Sequence, residues 1–312
     1  MKTEDELQQV LDVESVDETA LPVGMEPVAR SNWQLFRRRF FAHRMAVVSL
    51  ILLAILIVAC FTAGWWAPYS KDHIDPNLVF NAQGPSAKHW FGVTEGGQDL
   101  FSQIFYGGQI SLKIGLAVAF ISTFLGVIVG ALAGYYGTWI DQFLSRLTDL
   151  FLIVPELAII AVAVKRMGAT DWTLIIVFAA LGWMYIARVV RGQIFSIKEK
   201  EFVEAARAAG ASDTRIIIRH ILPNCIGVIM VNMTLAIAAA VGLEAAISFL
   251  GLGLQPPATS WGLLLQNAEG AVANSHTFFL FIFPAVFLFI TIICVNFLGD
   301  GLRDAFDPQS KH

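Results

Sequence analysis

Six apolar stretches recur along this chain of 312 residues, and they constrain its fold more than any other feature. An α-helix rises 1.5 Å per residue, so about 20 apolar residues cross a hydrocarbon core of ~30 Å. We predict transmembrane helices at Met45–Ala63, Ile114–Ala133, Leu150–Val164, Trp172–Ala187, Cys225–Leu243 and Thr277–Phe297. Charged residues make up only 15% of the chain, below the level of about a quarter that is typical of soluble domains. The sequence therefore predicts an all-α membrane protein with six transmembrane helices.

Positive charge orients these spans, because cytoplasmic loops carry an excess of lysine and arginine. With the N-terminus inside, 16 of the 21 basic residues lie inside. The five that lie outside are Lys71, Lys88, Lys113, Lys165 and Arg166. Five or seven spans would separate the basic clusters, so we predict six spans with both termini in the cytoplasm.

The regions beside the spans differ in composition. Residues 1–30 are rich in carboxylates and predict a disordered, acidic cytoplasmic tail. Residues 31–44 combine aromatic and arginine side chains, which predicts an interfacial helix leading into the first transmembrane helix at 45–66. We expect an extracytoplasmic loop at 67–110, a core of five further helices at 111–304, and a short cytoplasmic tail at 305–312.

The longest charged run between two spans is Lys198–Asn224, and it has a helical pattern. Phe202, Ala205, Ala206 and Ala209 recur at helical spacing and predict one apolar helix face. Gly210 supplies a residue that tolerates positive φ at a helix C-terminus. We predict a second short helix at Thr214–Ile221, ended by Pro223.

This loop resembles the EAA signature of ABC importer permeases in Glu204-Ala205-Ala206, Gly210 and Leu222-Pro223, although His220 stands where the general pattern has isoleucine. The resemblance implies a coupling helix that sits in a groove of a cytoplasmic ATPase. Its contact residues would be Glu204, Ala205, Ala206, Arg207, Gly210, Ala211 and Pro223. Two other readings are an ordinary charged loop and a DNA-binding helix-turn-helix. A position between two spans argues against nucleic acid.

Three further motifs are similar to the C-type permease of dipeptide and oligopeptide importers. They are His89-Trp90-Phe91-Gly92 with Gly97, Asp99 and Ser102; Glu244–Gly262; and Gly299–Pro308. The resemblance implies the type I importer permease fold in a prokaryotic inner membrane. It also implies residues that face a solute-binding protein, namely His89, Trp90, Gly92, Asp99, Pro256, Pro257 and Trp261, with Trp261 as an interfacial anchor.

The first of these motifs departs from the family pattern. Val93 and Thr94 replace threonine and aspartate, and Gln98, Gln103 and Gln109 stand where arginine is usual. Loss of both signs together avoids leaving an unpaired ion. We therefore expect the family fold with a rewired polar network.

Polar residues inside the spans are candidates for the solute pathway. Glu156, Asn232 and Glu244 are the three we single out, and we expect Glu244 to lie at the external interface. Asn232 and Asn296 are expected to make hydrogen bonds between helices. Gly126, Gly130 and Gly134 form a row that lets another helix approach closely, in the same chain or in a partner.

The sequence shows no catalytic or zinc-ligand spacing and no phosphate-binding loop of the G-x-x-x-x-G-K-[ST] type, so we expect neither an enzyme nor a cofactor in this chain. The resemblance implies a permease for short peptides. Its partners would be a second, different permease, two ATPase subunits that carry ATP and magnesium, a solute-binding protein and membrane lipid. The alternatives are a permease for nickel chelates or similar solutes, an ATP-independent secondary transporter, and a membrane scaffold.

Overall fold

The computed structural model of the protein describes residues 32–153 and 155–306, and within these ranges the regular structure is helical. The predicted tail at 1–30 and residues 307–312 lie outside the described residues. We number the helices α1 Asn32–Ala42, α2 Arg44–Phe61, α3 Ala63–Trp66, α4 Leu100–Tyr136, α5 Thr138–Ile153, α6 Glu156–Met167, α7 Asp171–Lys198, α8 Glu201–Ala208, α9 Asp213–Ile216, α10 Leu222–Phe249, α11 Trp261–Asn267 and α12 Phe279–Phe306. A π-helical turn, Ile217–Ile221, joins α9 to α10, and a 3₁₀ turn, Glu269–Ala273, follows α11.

Five helices in the described ranges are long and apolar enough to cross a membrane: Arg44–Phe61, Leu100–Tyr136, Asp171–Lys198, Asp213–Phe249 and Phe279–Phe306. Each contains most or all of one predicted span. Helix α4 begins at Leu100, earlier than the predicted core boundary at residue 111, because Asp99 caps its first turn by accepting a hydrogen bond from the Ser102 amide. The predicted span Leu150–Val164 is not one helix, since the chain breaks at Pro155, which has an extended backbone.

Helices α4 and α7 run parallel and form the most extensive helix pair in the described chain. The glycine row of α4 lies against α7 of the same chain, which settles which helix approaches it. A Cβ on Gly126 would lie 2.7 Å from the Ile186 Cβ, and one on Gly130 would lie 2.6 Å from the Ala187 carbonyl oxygen. The absence of side chains therefore lets the two backbones come into contact.

The parallel arrangement requires a return segment between the two helices. The chain leaves α4 at Tyr136 and enters α7 at Asp171, which lies beside Lys113 near the opposite end of α4. Helix α5 pairs with the far end of α7 through an ion pair between Asp149 and Arg188. Helix α6 packs at the near end, where Ile160 belongs to the core cluster of Leu174, Ile175 and Phe178. Together α5 and α6 cover the length of the α4–α7 pair, from one end to the other.

Helix α9, the π-helical turn and α10 form one continuous helix from Asp213 to Phe249, so Pro223 does not end a helix as the sequence predicted. Proline in a helix clashes with the carbonyl of the fourth residue before it, here Arg219. That residue lies in the π-helical turn, whose wider ring accommodates the proline ring at the start of α10. At 1.5 Å per residue, this continuous helix is about 55 Å long.

Candidate functional site

The charged loop forms an elbow, which we define as residues 199–212, with α8 as its only helix. The elbow ends in a Schellman motif: the Gly210 amide donates to the Arg207 carbonyl, and the Ala211 amide donates to the Ala206 carbonyl at 3.1 Å. Gly210 has φ +77°, as the sequence predicted, and a Cβ there would meet no atom within 4 Å. Glycine is therefore favoured at this position because of the positive φ, and not because a side chain would lack space.

The elbow packs on its own chain through a different face from the one predicted. Val203 is fully buried in a cluster with Ile194 of α7 and Ile216 of α9, whereas Phe202 is 43% exposed. Ala205 and Ala209 are exposed as well, and Ala206 is partly buried. Most of the predicted apolar face is therefore open, because Val203 supplies the contact to the membrane helices.

Charged side chains surround this open apolar face. Glu204 and Arg207 are both exposed, as is Glu201. On the inner side, the Tyr135 hydroxyl at the end of α4 donates to the Asp213 carboxylate at 2.6 Å, which fixes the far side of the elbow. Glu204 and Ala205 therefore lie on the accessible surface, whereas the Arg207 side chain reaches the Tyr135 hydroxyl and Pro223 lies apart on α10.

At the opposite end of the molecule, most of the residues predicted to face a binding protein are buried. His89 and Asp99 are 7% and 4% exposed and pair at 2.9 Å, and Asp99 also accepts from the Ser102 hydroxyl. Gly92 is buried at φ +89°. Trp90, in contrast, is 57% exposed. Most of these residues in the motif at 89–102 therefore stabilise the loop from within and are not accessible to a binding protein.

The glutamines that depart from the family pattern serve as local hydrogen-bond donors. Gln103 donates to the Lys71 carbonyl and Gln109 to the Cys60 carbonyl, each at 2.7 Å. The Thr94 hydroxyl accepts a hydrogen bond from the backbone amide of Gln98 at 3.2 Å, and the Thr94 backbone amide donates to the Gln98 carbonyl. At these positions, neutral residues make the hydrogen bonds of the loop.

Two predictions, for Trp261 and Glu244, are wrong near the segment that follows α10. Trp261 is fully buried and donates from Nε1 to the Ile104 carbonyl at 2.9 Å, so its predicted role as an interfacial anchor is wrong. Glu244 is also fully buried, so its predicted interfacial surrounding is wrong. The chain folds back after α10, which covers Glu244 and inserts Trp261 against α4, whereas Pro256 and Pro257 remain exposed.

The other two pathway candidates have contrasting environments. Asn232 is 9% exposed and donates to the Val228 carbonyl of its own helix, so the predicted hydrogen bond between helices is wrong for this residue. Glu156 is exposed at the first turn of α6, between the α5 and α6 contacts with the two ends of α7. Its carboxylate therefore lies at the break between α5 and α6, partway along α7.

The partners of Glu244 were not predicted from the sequence. They are Ser111 of α4, Ser248 of α10 and Ser260, the N-cap of α11. No sequence signal marks Ser111 or Ser260, because serines are common in apolar helices and loops. Only the spacing of Glu244 and Ser248, four residues apart on one helix face, could have indicated a contact.

Sequence comparisons place this chain among known transport proteins. The profile of binding-protein-dependent transport system inner membrane components matches residues 126–312, and that of the N-terminal TM domain of oligopeptide transport permease C matches residues 31–85. The chain is 40% identical to the oligopeptide transport system permease protein OppC of Haemophilus influenzae, over 92% of each chain. It is 42% identical to the protein of that name from Mycobacterium tuberculosis, over 88% of this chain and 94% of that one. It is 37% identical to a putative peptide permease of Brucella suis, over 94% of each.

A solved structure shares the fold. A chain of the MetNI methionine ABC transporter in an inward-facing conformation superposes with a TM-score of 0.55 at 19% identity. The match covers 66% of this chain and 96% of that chain. At this identity the match shows the architecture alone.

Proposed function

Because this chain belongs to the family of binding-protein-dependent transport system inner membrane components, we propose that it is the permease subunit of an ATP-driven peptide importer. It is a multi-pass protein of the inner membrane with the type I permease fold. The observation that carries the coupling role is the elbow, which presents an open apolar face ringed by charges at one end of the helix bundle.

The exposed surface of the elbow is suited to binding a separate ATPase subunit. Phe202 and Ala205 offer an apolar contact, and Glu204 offers a charge-assisted hydrogen bond beside it. Val203 and the Tyr135–Asp213 hydrogen bond fix the elbow to α7, α4 and α9 on its other side. A force applied to Glu204 would therefore reach the membrane helices. In this proposal, ATP and magnesium belong to two ATPase subunits.

The orientation follows from the course of the chain. The return segment formed by α5 and α6 supports a sixth crossing in addition to the five long helices. Six crossings put both termini and the elbow on the same side, and the excess of basic residues assigns that side to the cytoplasm. A second, different permease would complete the pathway, and a solute-binding protein would dock outside, near Trp90, Pro256 and Pro257.

Glu156 is the pathway residue with the best support. An ionised carboxylate at the bilayer centre costs ~2.5–3.5 kcal/mol on insertion scales, so it should face water or a partner and not lipid. Glu156 is exposed partway along α7, where Pro155 interrupts the helices. A peptide carries a protonated amino terminus, which a carboxylate on the pathway would attract.

Co-purification and transport test the proposal. The chain is expressed with its candidate partners, and we expect ATPase subunits to co-elute and peptide uptake into proteoliposomes to require ATP. Glu204→Gln should lower co-elution of the ATPase, since it removes one charged contact worth about 1.5–3 kcal/mol. Glu199→Gln is the matched control, because Glu199 is an exposed glutamate at the first residue of the elbow, outside α8 and its apolar face.

Two outcomes would contradict the proposal. Peptide flux that continues without ATP would favour a secondary transporter, and equal effects of the two glutamine variants would remove Glu204 from the contact. Mass spectrometry of ligands held by the partnering binding protein then distinguishes peptides from nickel chelates.

A further inference from the structure

A buried carboxylate joins three elements near the external end of the molecule. Glu244 of α10 is fully buried, and its two oxygens accept hydrogen bonds from the Ser111 hydroxyl of α4 and the Ser248 hydroxyl, each at 2.8 Å. The Ser260 side chain also lies on this carboxylate. Ser111 in turn accepts from the Trp261 amide, at the first turn of α11. We call Glu244, Ser111, Ser248 and Ser260 the Glu244 latch.

The latch holds a segment that packs tightly against the membrane helices. We call residues 250–267, which contain the exposed Pro256 and Pro257, the external segment. A Cβ on Gly107 of α4 would lie 3.1 Å from the Ser260 carbonyl carbon, and one on Gly262 would lie 2.6 Å from the Ala245 Cα. The external segment therefore lies directly on α4 and α10, and Ser260 caps α11 by accepting from the Leu263 amide.

Helix α10 connects this latch to the elbow. One continuous helix runs from Asp213, which Tyr135 holds beside the elbow, to Phe249, and Glu244 lies about 46 Å along it. The π-helical turn Ile217–Ile221 lies at the elbow end, and such turns often mark functional sites. A displacement at one end of so long a helix is carried to the other end.

We propose that Glu244 is the positioning residue of the external segment. Its carboxylate, held by Ser111, Ser248 and Ser260, fixes the start of α11 on α10, the helix that leads to the elbow. Movement of the elbow therefore reaches the external face. The inference rests on the proposed function in one respect, namely that an ATPase moves the elbow. The hydrogen bonds of the Glu244 latch do not depend on that function.

A purely structural role for Glu244 makes a different prediction. A buried ionic group can often be replaced by apolar residues of similar volume without loss of stability, so a packing role needs no charge. A positioning role needs the carboxylate, because each hydroxyl donates to it in a fixed direction. The two roles separate when the charge is removed with little change in shape, as in Glu244→Gln.

The test uses the complete importer in lipid nanodiscs and a thiol reporter in the external segment. Leu254 is 1% exposed, so Leu254→Cys should react slowly with a membrane-impermeant maleimide, and the three native cysteines are buried. We expect Glu244→Gln or Ser111→Ala to raise that labelling rate about tenfold, as loss of one buried hydrogen bond implies. ATP should alter the rate in the parent complex and no longer do so in these variants. In proteoliposomes, where uptake can be measured, peptide imported per ATP hydrolysed should fall while binding-protein-stimulated hydrolysis persists.

Ser122→Ala is the matched control, since Ser122 is a buried serine of α4 that donates to the Ala119 carbonyl of its own helix and is not part of the latch. Labelling that stays slow in Glu244→Gln, or that rises equally in Ser122→Ala, overturns the latch. A proportional loss of transport and hydrolysis assigns Glu244 a structural role and also overturns it. An absence of ATP-driven uptake in the parent complex refutes the proposed function instead, and the labelling comparison then still decides whether Glu244 holds the external segment.

Discussion

Replacement of Gly210 isolates the backbone turn of the elbow from its side-chain contacts. Gly210 has φ +77°, and a Cβ at this position would meet no atom within 4 Å. Gly210→Ala therefore adds no steric overlap with other residues, and its cost is the left-handed conformation alone. That conformation costs an L-residue roughly 1–2 kcal/mol. A loss of this size lowers the ratio of formed to open elbows about 5- to 30-fold.

The expected result is weaker binding of the ATPase. A partner that binds only the formed elbow has an apparent Kd raised in inverse proportion to the formed fraction. Gly210→Ala should raise the Kd of the purified ATPase for the nanodisc-embedded permease, measured by titration; the factor approaches about 30 where open elbows outnumber formed ones and is smaller where most elbows are formed. Gly210→Asn should lie between wild type and alanine, because asparagine enters the left-handed region more readily than alanine.

Gly192 supplies the control. It lies within α7 on the same side of the molecule, is exposed, and likewise has no atom within 4 Å of a Cβ. Alanine favours a helix over glycine by up to about 1 kcal/mol, so Gly192→Ala should leave ATPase binding unchanged. Equal Kd values for Gly210→Ala and wild type, or equal losses in both alanine variants, would refute the reasoning from the turn.

Two further predictions concern packing and the external loop. Gly130→Ala places a Cβ 2.6 Å from the Ala187 carbonyl oxygen, and overpacking of this kind costs typically about 1–3 kcal/mol, so the thermal unfolding midpoint in detergent should fall. Gly182→Ala, whose Cβ would contact Ser122 at an ordinary 3.4 Å, should leave the midpoint nearly unchanged, and the same fall in both variants would contradict the parallel packing. Thr94→Asp combined with Gln98→Arg should be more stable than the sum of the single changes, because two hydrogen bonds hold the backbones of these residues close together. A double variant no different from either single change excludes the charge pairing.

The sequence predicted the long helices well where composition alone decides them. Hydropathy identified every one of the five long helices, and the need for positive φ identified the turn at Gly210. Hydropathy could not find the break at Pro155, because apolar residues continue on both sides of it. The parallel packing of α4 and α7, which requires the return segment, depends on contacts between residues distant in sequence.

The errors at the external end have a common physical cause. A tryptophan or a carboxylate near the end of an apolar stretch has the same local pattern whether it reaches the interface or is covered. For Trp261 and Glu244 the outcome depends on the chain after α10, which folds back, covers Glu244 and inserts Trp261 against α4. The serines that satisfy the carboxylate come from three separate elements, and their convergence is a property of the tertiary fold.

The packing also indicates how movement of the elbow would spread. Val203 fixes the elbow to both α7 and α9, so α10 cannot shift alone without opening that cluster. The glycine row joins α7 to α4, and Ser111 of α4 belongs to the Glu244 latch. A push on the elbow should therefore move α4, α7 and α10 together, since packed helices move as bodies more readily than they deform. It follows that Gly130→Ala, far from both ends, should weaken the response of the external segment to ATP as well as lower stability.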